Sequence, residues 1–107
     1  MNQDARTQVT SRLLRVLAEI EGQENVASSY TPNALPFVEE MKQIREYIEV
    51  AGEYGLAFEI LVATCEVHPF VLSGKSAIAL LELGLLFGYK TDREEDRMFD
   101  RRNGLKK

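Results

Sequence analysis

From Ala77 to Gly88 the chain reads Ala-Ile-Ala-Leu-Leu-Glu-Leu-Gly-Leu-Leu-Phe-Gly, with Glu82 its one charge. Coiled into a helix, this run presents apolar side chains in nearly every direction. A helix apolar all round must be covered by neighbouring elements or by a partner. Ser73 is placed to cap its start and Gly88 to end it. The run is too short to span a bilayer, and Glu82 interrupts it. Burial among other helices is therefore expected, and the remaining segments are candidates for the cover.

Three such segments precede it. Val9, Leu13, Val16, Leu17 and Ile20 recur with helical period and predict a first helix over about Asp4 to Glu21, with Gly22 as its stop. Asp4 or Thr7 could cap its start. Phe37, Met41, Ile44, Ile48 and Ala51 predict a second helix from about Pro36 to Ala51, ended by Gly52 in a left-handed conformation. Ala57, Ile60, Leu61, Thr64 and Val67 form the inner stripe of a third, from Glu53 to Val67, flanked by Leu56 and Phe58. The short link makes helices two and three an antiparallel hairpin, with Gly55 expected to let them approach closely. His68-Pro69 ends the third helix. Residues 23–36, with two prolines and two serines, read as a long loop that either packs through Val26, Tyr30 and Leu35 or serves in binding. Thr91-Asp-Arg-Glu94 has the form of a capping box for a short fifth helix anchored by Met98 and Phe99, and residues 100–107 should fray. The expected fold is all-α: one domain over 1–107, a small bundle of four to five helices with the apolar fourth helix at its centre.

The chain has 107 residues, 45% hydrophobic and 28% charged, which suits one globular domain that needs neither disulfide nor metal. Its single cysteine, Cys65, has no internal partner and lies in an apolar pattern, so a buried thiol is expected. Met1-Asn2-Gln3-Asp4 is polar, without the apolar core of a signal peptide, and the expected location is the cytoplasm.

The net charge of −4 conceals a strong asymmetry. Residues 1–18 and 67–107 each sum to +2, whereas residues 19–66 carry ten acids against Lys42 and Arg45, a net of −8. Such a middle repels a phosphate backbone, so direct nucleic-acid binding is not expected. It suits a basic protein partner, or it is a solvated acidic face.

Several motifs are decoys. Ser73-Gly74-Lys75-Ser76 resembles the end of a phosphate-binding loop, but Pro69 stands where that motif needs glycine and no apolar strand precedes it. His68 is the only histidine, without a nearby partner for acid–base or metal chemistry. Glu49 and Glu53 share a helix spacing, yet the Glu-x-x-His of a di-metal bundle is missing. A helix-turn-helix reading fails because helices two and three are acidic and helix four is apolar. Neither an enzyme nor a cofactor or metal is expected.

The segment Tyr47-Ile-Glu-Val-Ala-Gly-Glu-Tyr-Gly-Leu-Ala-Phe-Glu-Ile-Leu61, followed by Leu72-Ser73 and Leu81-Glu-Leu-Gly84, resembles the signature of the MafI-type immunity proteins, which accompany bacterial polymorphic toxins, including those of contact-dependent growth inhibition. The likeness covers about residues 37–88. The first helix, the 23–36 segment and the basic tail depart from it. It implies a protein without catalytic residues that binds and neutralises a cognate toxin domain, commonly a nuclease with a basic cleft. An acidic face would occupy such a cleft and speed its capture. The expected contacts are Glu39, Glu40, Glu46, Glu49 and Glu53, with Tyr54 as an aromatic anchor. A different reading is a homodimeric helical adaptor, drawn from the surplus of leucines on helix four.

Overall fold

The apolar stripe of the first helix is buried residue for residue. In the computed structural model, which describes residues 3–88, helix α1 spans Gln3–Glu21, and Val9, Leu13, Val16, Leu17 and Ile20 are its buried side chains. Helices α2 (Phe37–Glu49), α3 (Tyr54–Val67) and α4 (Gly74–Phe87) follow, with a 3-10 helix at Glu24–Ser29 between α1 and α2. No strand occurs among the described residues. The fifth helix expected near Thr91, its anchors Met98 and Phe99, and the tail 100–107 lie outside them.

Side-chain contacts fix the directions. Thr64, near the end of α3, donates to Glu40, near the start of α2, at 3.2 Å, so these helices are antiparallel. Glu19, near the end of α1, accepts from the backbone N–H of Ser73 just ahead of α4. The result is an up-down-up-down bundle. Both α1 and α3 pack against the other three helices, and α2 and α4 flank them. The middle position expected for the apolar helix thus falls to α1 and α3. On α4 the fully or nearly buried side chains are Ser76, Ala79 and Leu83, while Ile78 and Leu81 are 59% and 66% exposed. Burying a leucine stabilises a fold by roughly 1.5–3 kcal/mol. Leu83 makes that contribution and Leu81 makes little of it.

Local chemistry explains the helix ends. The Ser73 side chain accepts from Ser76 N–H at 3.3 Å, and Gly88 closes α4 at φ 62°, both as the sequence predicts. The α1 carboxylate of Glu19 joins Ser73 at this helix start, where negative charge is favoured. The hydrogen bond from the Ser73 backbone N–H, and then the Ser73 hydroxyl, draw the Glu19 carboxyl below its ordinary value. Gly52 sits at φ 64° in the α2–α3 corner. There Glu53 N–H bonds the Tyr47 carbonyl at 2.8 Å and Ala51 N–H the Glu46 carbonyl at 3.0 Å, a widened last turn.

Several expectations need correction. Helix α2 stops at Glu49, so Ala51 falls outside it and is exposed. A Cβ on Gly55 would meet nothing within 4 Å, so this glycine is not where α2 and α3 come close. Val67 is exposed and Phe58 is buried, which turns the inner face of α3 toward Phe58. Thr7 caps nothing at the start of α1; its hydroxyl donates to the Gln3 carbonyl within the helix at 3.0 Å. Cys65 is half-buried against the core, and burial raises its thiol.

Residues 23–36 are more ordered than a loop reading allows. Val26 of the 3-10 helix is buried, whereas Leu35 is exposed. The Gln23 side chain pairs with the backbone of Val71 in both senses, donating to its carbonyl at 2.7 Å and accepting from its N–H at 2.9 Å. An amide can do this because it carries donor and acceptor side by side. The pairing fastens the start of the 3-10 segment to the α3–α4 connection.

Candidate docking face

Helix α2 segregates its residues sharply. Phe37, Met41, Ile44 and Ile48 face the core. On the opposite side Glu39, Gln43 and Glu46 are exposed, and with Leu35 and Lys42 they line a shallow groove of about 230 Å³. Glu39 and Glu46 are seven residues apart, hence one above the other on the helix. Neither makes an ion pair among the described residues. A second groove, of about 330 Å³, lies along the other edge of α2 between Glu21, Glu24, Phe37, Val38, Met41, Lys42 and Arg45. Exposed Val38 gives this edge an apolar contact beside its carboxylates.

The six residues singled out in the sequence therefore divide. Glu39 and Glu46 share the outer face. Glu49 is also exposed, but Arg45 holds it at 3.0 Å and holds Glu21 at 2.5 Å. The hydrogen bonds that Arg45 donates to Glu21 and then to Glu49 raise its guanidinium further above its ordinary value. Glu53 is exposed in the corner immediately before α3. Tyr54 is half-buried, and it lines a separate hollow of about 590 Å³ with Gln3, Arg6, Thr7, Thr10 and Ser11 of α1. That hollow contains a cation and hydroxyls and none of the five glutamates.

Glu40 has a different task. Its carboxylate accepts from the Tyr30 hydroxyl at 2.6 Å and from Thr64 at 3.2 Å, joining the 3-10 segment, α2 and α3. Burial, and then the hydrogen bond to Glu40, push the Tyr30 phenol above its ordinary value. Tyr30 stacks flat on His68, with ring centroids 3.8 Å apart, and meets Phe37 edge-on at 5.8 Å. His68 Nδ1 lies 2.7 Å from the Ser29 hydroxyl, which also reaches the Val26 carbonyl at 2.8 Å. The lone histidine is thus part of an aromatic clasp that closes one end of the bundle. Sequence reasoning missed this role for Tyr30 and His68, because their partners lie 10 to 39 residues away along the chain.

Among the described residues no cluster of three or more His, Cys, Asp or Glu side chains is arranged to hold a metal ion. Nor is any described helix long and apolar enough to cross a membrane. Compared with known proteins, the chain matches no family model, no curated protein and no solved structure.

Proposed function

We propose that this protein is an immunity protein that binds a cognate toxin domain and neutralises it through the outer face of α2. The carrying observation is the exposed pair Glu39 and Glu46, aligned on one helix face and without cationic partners among the described residues. Glu49 and Glu53 extend the acidic surface into the hairpin corner whose sequence bears the family likeness. A surface of this sign complements the basic cleft of a nuclease and competes there with a phosphate backbone. Leu35 and Val38 supply apolar contacts at its edges, where a charged rim alone would give little affinity. In this reading the protein is not an enzyme, uses no cofactor or metal, and works in the cytoplasm, where such a toxin would meet its substrate.

Co-expression with the toxin domain encoded immediately upstream tests the proposal. Rescue of growth together with a co-purifying complex is the expected result. Continued killing with both proteins produced in soluble form would overturn it.

A further inference from the structure

The outer face of α4 carries a second surface of opposite character. Ile78, Leu81 and Leu85 follow one another at spacings of three and four residues, and all three are exposed. Gly74 extends the same line toward the helix start, where a Cβ would meet nothing within 4 Å. This is the spacing of a helix–helix seam, on the side of α4 away from buried Ala79 and Leu83. Lys75 and Glu82 stand seven residues apart along one flank of the seam. Both are exposed, and Lys75 makes no ion pair among the described residues.

We infer that a second copy of this chain docks on this face, with the two α4 helices antiparallel about a two-fold axis beside Ile78 and Ala79. The charges select that occupant. In an antiparallel pair related by a two-fold axis, like flanks meet, so a lysine and a glutamate on one flank meet their opposites twice. Centring the axis between Ile78 and Ala79 brings Lys75 level with Glu82 of the second copy, and Glu82 level with its Lys75. The same register sets the two Ile78 side chains together beside the axis. A parallel pairing gives neither charge match. Glu82 already accepts from Arg12 at 3.1 Å, which holds its carboxylate on this flank. The seam is one helix of 14 residues, roughly 21 Å long. It is small beside the roughly 800 Å² that each partner of a standard interface buries, so the dimer should dissociate on dilution. This inference does not depend on the immunity reading and needs no toxin for its test.

Sedimentation velocity on the full chain over a concentration series reads the association directly. A reversible monomer–dimer equilibrium is expected. Leu81→Glu should weaken it at least about tenfold, as a charge forced into an apolar contact does. Its far-UV circular dichroism and melting should stay unchanged, because Leu81 contributes little to the monomer. Lys75→Glu and Glu82→Lys should each weaken self-association, and an equimolar mixture of the two variants should restore it as a heterodimer. A chain that stays monomeric throughout, with α4 covered by another segment or awaiting another partner, would overturn the inference. So would a dimer indifferent to Leu81→Glu, or a mixture that associates no better than its components.

Discussion

Helices α2 and α4 occupy equivalent places, each flanking the α1–α3 pair, yet they solve the exposure problem in opposite ways. On α2 the apolar residues other than exposed Val38 lie toward the core and the outer side is acidic. On α4 both sides are apolar, and the core takes Ala79 and Leu83 while leaving Ile78 and Leu81 outside. Hydrophobic content therefore does not decide which helix lies in the middle. Position follows from what the neighbours can cover. An outer face that differs from its inner face is ordinary amphipathicity, whereas an outer face as apolar as the inner one calls for a second surface.

The largest expected effect lies within α4. Leu83→Ala, at a fully buried site, should destabilise the chain by about 2–5 kcal/mol. Leu81→Ala, two residues away, should stay within about 0.5 kcal/mol at concentrations low enough to keep the chain monomeric. Urea denaturation of both variants measures the contrast, and equal losses would mean that the two faces are covered alike. A similar test divides the glutamates of α2. Glu40→Ala leaves Tyr30 and Thr64 without their acceptor and should cost about 1–3 kcal/mol, while Glu39→Ala should be nearly silent in stability.

Two smaller effects concern the connections. Gly52→Ala forces a side chain into a left-handed residue at the α2–α3 corner and should lose about 1–2 kcal/mol. Gly55→Ala, with open space at its Cβ, should gain up to about 1 kcal/mol by thermal melting. Glu19 sets the mildest one. Its folded-state value is lowered by the Ser73 contacts, so its contribution is present above the ordinary value of 4.5 and fades as pH falls through the lowered one. Stability measured from pH 7 downward should decline less steeply over that window in Glu19→Gln than in the unaltered chain.

Sequence reached the inner faces of α1 and α2 because each has a polar side that sets the phase of its period. On α3 and α4, apolar residues occur at most angles, so the phase was undetermined, and Val67 and Phe58 exchanged roles. The same ambiguity concealed which side of α4 stays outside. The exposed glutamates of α2 were legible as a charge pattern. That Glu40 turns inward depends on Tyr30 and Thr64, which the chain brings together from 10 and 24 residues away. The helical period places Glu39 opposite the buried stripe and Glu40 on its flank, but that this flank is covered follows only from the 3-10 segment and the end of α3 arriving on that side of α2.

The proposal that the outer face of α2 docks a toxin is tested most directly by the affinity of the proposed partner, a toxin domain encoded immediately upstream, for the unaltered protein and for Glu39→Lys/Glu46→Lys, titrated across a range of salt. The expected result is tight binding that weakens with salt, and a loss of roughly a hundredfold or more in the variant, about 3 kcal/mol, with helicity retained. Equal affinity of the two proteins, at every salt concentration, would contradict it.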